Sequence, residues 1–169
     1  KTSKLVAFGS TRKPNIKVED DKNLKDLLSS GTDIIVVFGK AWDFQVTDII
    51  KTSLDENIQM IKDTIKYLCA NEKEVFFDAE HFYDGYKENK DYAMATVRAA
   101  EEAGAKVVVL CDTNGGTLPQ EIYEMTKAVK KAISIEIGIH SHDDMGMAIA
   151  SSIMAVEAGA KQVQGTLIG

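Results

Sequence analysis

Two hydrophobic rhythms alternate along this chain. Short, mostly apolar runs at Leu5–Phe8, Ile34–Phe38, Val75–Phe77, Val107–Leu110, Ile135–Ile139 and Gln162–Thr166 read as strands. The β-branched ones suit a parallel sheet buried on both faces. Between them, apolar residues recur at helical spacing, as in Leu24, Leu27 and Leu28, or Ile58, Ile61, Ile65 and Leu68. Further helices are expected near Lys90–Ala103, from Thr117 to about Ala132, and over Met145–Glu157. The last is apolar nearly all round, which predicts a well-buried helix. Asp20 or Asp21 can cap the first helix. Ser53-Leu54-Asp55-Glu56 and Thr117-Leu118-Pro119-Gln120 read as capping boxes. Phe82–Tyr86 reads as an aromatic-rich loop, either a mobile flap or a segment packed on a rim.

A repeat organises these elements. Glu101-Glu102-Ala103-Gly104-Ala105-Lys106-Val107-Val108-Val109 matches Val156-Glu157-Ala158-Gly159-Ala160-Lys161-Gln162-Val163-Gln164, with a weaker copy at Leu28–Val36. Each copy is a helix end, a Gly where positive φ is needed, and a strand. That is the joint of a repeating β/α unit, and six units follow one another without a linker. An open doubly wound sheet and a (β/α)8 TIM barrel compete. No Gly-rich phosphate loop follows the first strand, which counts against a dinucleotide-binding sheet. Polar clusters sit at the C-terminal ends of five strands: Ser10-Thr11-Arg12, Lys40, Asp78-Ala79-Glu80-His81, Asp112-Thr113-Asn114 and His140-Ser141-His142. A barrel collects those ends into one bowl, so the barrel is favoured, lacking two of its strands.

Composition narrows the partners. A net charge of −6 with 44% hydrophobic residues describes an ordinary globular chain with no footprint for nucleic acid or an anionic membrane. No apolar run approaches a membrane span and no signal peptide is legible. Cys69 and Cys111 are far apart, consistent with two free thiols in a reducing cytoplasm. The missing initiating Met and the abrupt end suggest a piece of a longer protein.

The chemistry concentrates at strand ends. His140 and His142 are spaced i, i+2, so on a strand they share a face and can meet one divalent metal. Asp143 and Asp144 can orient an imidazole or cap the following helix. A third ligand could come from Asp112, Glu80 or Asp78. Asp78 and Glu80 form a second i, i+2 pair suited to acid–base work. Thr113 suits a substrate carboxylate, with Asn114, Gly115 and Gly116 following it. Cys111 reads as a small core residue more readily than as a nucleophile.

Together, Leu110-Cys111-Asp112-Thr113-Asn114-Gly115-Gly116, Gly138-Ile139-His140-Ser141-His142-Asp143-Asp144-Met145-Gly146 and Val156–Thr166 resemble the 2-isopropylmalate/homocitrate/citramalate synthase family. That family belongs to the barrel metallolyases that include hydroxymethylglutaryl-CoA lyase. Phe8–Arg12, Phe38–Phe44 and Phe77–Tyr86 are similar to the citramalate branch. The resemblance implies a TIM barrel of which this chain holds about strands three to eight, as a partial catalytic domain over residues 1–169. It implies condensation of acetyl-CoA with a 2-oxo acid, pyruvate in the citramalate branch, on Mg, Mn or Zn. By position, His140 and His142 become metal ligands, and Glu80 and His81 catalytic residues. Thr113, Asp78, Asn114 and Arg12 become substrate-binding residues. A cytoplasmic homodimer acting on small molecules is implied as well. The family's first-strand Arg-Asp pair and the Asn after its last strand have no counterpart here, and Asp143 stands where Asn is usual. The fragment is therefore expected to be inactive alone. A reverse lyase, a metal-dependent hydrolase and a non-catalytic truncated domain are the competing readings.

Overall fold

The computed structural model describes residues 3–167. Strands β1 (Val6–Ser10), β2 (Ile34–Lys40), β3 (Glu74–Glu80), β4 (Val107–Asp112), β5 (Glu136–Ser141) and β6 (Gln162–Gln164) form one sheet. Its order is β1-β2-β3-β4-β5-β6, and every neighbouring pair is parallel. A doubly wound sheet reverses its strand order at a switch point, whereas this sheet never reverses. It is wound in one direction, as a part of a barrel is.

The connecting helices are α1 (Lys22–Leu28), α2 (Leu54–Ala70), α3 (Phe82–Glu88), α4 (Lys90–Ala103), α5 (Pro119–Ala132) and α6 (Ala148–Glu157). No described helix is long and apolar enough to cross a membrane. The αβ joints form as the repeat requires: Gly31, Gly104 and Gly159 have φ of 74°, 105° and 114°. A side chain is strained in that left-handed region, so glycine ends the helix and turns the chain into the strand.

Strand alternation divides the core into two layers. Ile35, Val37, Phe77, Val108, Leu110, Ile137 and Ile139 point outward and pack with Leu24, Ile61, Ile65 and Val97 of the helices. Val107, Val109 and Cys111 form a smaller inner cluster with Phe76. The inner face runs from that apolar floor to polar residues at the C-terminal strand ends.

Several local expectations are corrected. Strands β3 and β4 are longer than their apolar runs, so Asp78, Glu80 and Asp112 all lie on strands. Ser53 caps α2 through Glu56 N, but the Glu56 carboxylate turns to Arg12 and Asn15, so half the capping box is missing. Helix α5 starts one residue later than Thr117 suggested, with Glu121 reaching back to Leu118 N at 3.1 Å. The Phe82–Tyr86 segment is no flap: it is helical, and Phe82 and Tyr83 are fully buried. Helix α6 is not well buried, since only Ser151 and Ala155 are covered and Ile149 is 80% exposed.

Candidate active site

The C-terminal ends of β3, β4 and β5 deliver inward-facing side chains to one concavity of about 200 Å³. Asp78 and Glu80 come from β3, Cys111 and Thr113 from β4 and its end, and His140 and His142 from β5 and its end. Phe8 and Phe38 form the apolar wall, their rings stacked at 5.6 Å. The register explains the convergence, because Phe38 stands beside Asp78, and Cys111 beside His140.

His140 and His142 sit with ring centroids 5.0 Å apart. Asp78, Cys111 and His140 each offer a ligand atom, all within 4.8 Å of one another. Imidazole nitrogen and carboxylate oxygen beside one another suit a divalent ion. The Nδ1 of His140 is engaged by Gln164 Oε1 at 2.7 Å, which leaves Nε2 available as a ligand. Asp78, Cys111 and His140 together therefore offer a donor set that fits a divalent metal.

Burial pushes the Asp78 carboxyl up to about 6, against the opposing effects of a hydrogen bond from Gln164 and the charge of His140. Burial also raises the Cys111 thiol well above its usual range, and the nearby carboxylates Asp78, Glu80 and Asp112 add to that shift. A thiol held protonated is a poor nucleophile, which matches a core role for Cys111. Glu80 pairs with Lys40 Nζ at 2.6 Å, both half-buried at the mouth of the bowl. The Oγ1 of Thr113 accepts the His81 backbone N–H at 2.8 Å.

Three candidates are not brought to this bowl. Arg12 turns its guanidinium to Glu56 at 2.7 Å and Asp63 at 2.9 Å, bracing the β1 end against α2. The buried ring of His81 faces Asp84 at 3.3 Å and Trp42 at 5.5 Å, on the far side of a left-handed turn with φ of 58°. Asn114 donates to the same Asp84 oxygen at 3.1 Å. Burial tends to raise Asp84, but the hydrogen bonds with His81 and Asn114 hold its carboxyl below the ordinary range. Asp112, a possible third ligand on sequence grounds, spends both oxygens on Thr117 instead. Asp143 accepts from Ala148 N at 2.9 Å, taking the capping alternative.

Sequence reasoning passed over Lys40 as the partner of Glu80, and Gln164 altogether. The repeat carried a signal for the second: Gln164 occupies the position of Val109, an inward-facing strand position where a polar residue needs a partner.

Residues 5–169 match the family described as HMGL-like. The chain is 54% identical over 170 residues to the (R)-citramalate synthase of Aquifex aeolicus, covering 100% of this chain and 32% of that protein. It is 50% identical to the (R)-citramalate synthase of Sulfolobus acidocaldarius, covering 99% of this chain and 32% of that protein. It therefore spans about a third of the length of these curated relatives. Among solved structures, the Bacillus subtilis HMG-CoA lyase superposes with a TM-score of 0.79 at 18% identity, over 94% of this chain and 52% of that one.

Proposed function

Since the chain belongs to the HMGL-like family, we propose that it forms part of the catalytic barrel of a citramalate synthase. The proposed reaction condenses acetyl-CoA with pyruvate to give (R)-citramalate, on a route to branched-chain amino acids. The observation that carries this reading is the single bowl in which Asp78, Glu80, Thr113, His140 and His142 converge. The identity to (R)-citramalate synthases over the whole chain supports it.

His140 and His142 would hold the divalent ion, Mg²⁺, Mn²⁺ or Zn²⁺, with Asp78 the adjoining carboxylate. When bound, such an ion supplies Lewis-acid polarisation of a carbonyl oxygen. Thr113 already accepts a hydrogen bond from His81 N, so its own hydroxyl proton is free for the carboxylate of the oxo acid. Lys40 orients Glu80 over the bowl. Glu80 takes a proton from the acetyl methyl group, the carbon so freed attacks the keto carbon of pyruvate, the keto C=O π bond opens to an alkoxide that takes a proton from solvent, and water then cleaves the thioester to release CoA. Asp78, which lines the bowl beside Phe38, contributes to selecting the oxo acid. Two free cysteines support a cytoplasmic setting, and a homodimer acting on small molecules completes the reading.

The test uses the complete protein that carries this chain, with acetyl-CoA, pyruvate and Mn²⁺. Free CoA and citramalate are expected in equal amounts, by thiol titration and mass spectrometry. CoA release without citramalate, or cleavage of a hydroxyacyl-CoA in its place, overturns the reading.

A further inference from the structure

Strand β6 sets Gln164 directly beside His140 in the parallel register. Its side-chain amide makes two bonds. Oε1 lies 2.7 Å from His140 Nδ1, and Nε2 donates to Asp78 Oδ1 at 3.0 Å. We propose that Gln164 is a positioning residue: by bridging Asp78 and His140, its amide locks the His140 ring, at the lining of the bowl, in the tautomer that leaves Nε2 a free lone pair. This inference rests on the metal-binding part of the proposed function.

An ionised carboxylate carries no proton, so Asp78 must receive the amide nitrogen of Gln164. That choice sends the amide oxygen to His140. An amide oxygen only accepts, so Nδ1 must carry the ring proton. A neutral imidazole has one N–H, hence Nε2 keeps its lone pair. A carboxylate on β3 thus decides, through an amide on β6, which nitrogen of a β5 histidine can bind a metal. Among side chains of this length that stay uncharged at alkaline pH, only glutamine both accepts at one end and donates at the other. Strand packing does not demand the amide, because the equivalent position of the internal repeat holds Val109.

Gln164→Leu and Gln164→Glu separate the two bonds. Leucine removes both. Ionised glutamate, the form at the alkaline pH of the test, still accepts from Nδ1 but has no proton to donate to Asp78. The chain is labelled with nitrogen-15 histidine, His140 is assigned by substitution, and ring nitrogen shifts are read at mildly alkaline pH without metal. The wild type is expected to show Nδ1 protonated and Nε2 bare. Gln164→Glu keeps that pattern, while Gln164→Leu gives a mixture of tautomers. Amide spectra of both variants show whether the fold persists. Mn²⁺ titration of the same samples is expected to weaken by about tenfold to a hundredfold in Gln164→Leu. A wild-type His140 protonated on Nε2, or a Gln164→Leu variant with an unchanged tautomer and Mn²⁺ affinity, overturns the inference. A wild-type chain with the locked tautomer but no Mn²⁺ binding counts against the metal site in the proposed function and leaves the positioning role of Gln164 standing.

Discussion

Lys40 and Glu80 stand opposite one another across the β2–β3 ladder, and their side chains close a 2.6 Å ion pair at the rim of the bowl. Two neighbouring strands therefore fix the carboxylate that the proposed reaction uses as its base. Its position does not depend on a mobile loop.

This relationship predicts a graded loss of activity in the complete protein. Glu80→Gln keeps the shape and removes the base, so kcat falls by about 100- to 10,000-fold. Lys40→Met leaves the carboxylate in place but unguided, and its loss should be smaller. Lys40→Arg, which restores a cation at the same point, should lie between Lys40→Met and wild type. CoA release under saturating substrates measures all three. A Lys40→Met enzyme with wild-type kcat would remove the lysine from the mechanism.

A second prediction concerns the packing of α3. A Cβ on Gly85 would collide with the carbonyl oxygen of Ala41 and sit 2.9 Å from Trp42 Cα. Both are backbone atoms and cannot swing aside. Gly85→Ala should therefore cost about 1–3 kcal/mol, as overpacking does. Gly116→Ala is the control, since a Cβ there meets only Asn114 O at 4.0 Å and its φ is not positive. Urea denaturation compares the pair. Equal midpoints would mean that α3 can move away from the β2 end.

The reach of sequence reading follows from what each signal measures. The repeat at Gly104 and Gly159 was legible because a left-handed joint admits few residues. The i, i+2 spacing of His140 and His142, and of Asp78 and Glu80, was legible because a strand turns alternate residues to one face. The outcome for His81 could not be read that way. One residue past β3 the chain enters a left-handed turn, and the ring leaves the bowl for Asp84. Arg12 turns from the bowl for a similar reason, because its partners Glu56 and Asp63 lie on a helix more than forty residues away. The helical hydrophobic pattern of α6 indicates an apolar surface and says nothing of what covers it.

The buried Asp78 carboxyl makes stability depend on pH in an identifiable direction. Its value rises from 3.8 to about 6 on folding, chiefly through desolvation. Between those values the folded chain binds more protons than the unfolded one, so this group's contribution falls as pH rises through the window. Above the window, the cost of keeping it charged is about 3 kcal/mol, at ~1.4 kcal/mol per pH unit. Asp78→Asn abolishes the charge. The variant should equal wild type below about pH 4 and exceed it by up to that amount above about pH 6. Unfolding free energies of the two chains across this range give the difference directly, free of the other carboxylates they share. A flat difference would assign the pH dependence elsewhere.

The last prediction comes from the sheet's two ends. Among the described residues, each of β1 and β6 has a neighbour on one side only. Beside β6, Ile149 and Ile153 of α6 are 80% and 55% exposed, and on β1 Phe8 is 62% exposed. An unpaired strand edge flanked by apolar side chains favours association, because pairing satisfies backbone groups and burial removes apolar surface from water. The 169-residue chain on its own should therefore self-associate, with an apparent mass that rises with concentration in sedimentation. Charges placed on α6 oppose this without touching the core, since both isoleucines face solvent. Ile149→Lys combined with Ile153→Lys should shift the equilibrium toward monomer while leaving the far-ultraviolet circular dichroism unchanged. A wild-type chain that stays monomeric at every concentration would show that these edges protect themselves.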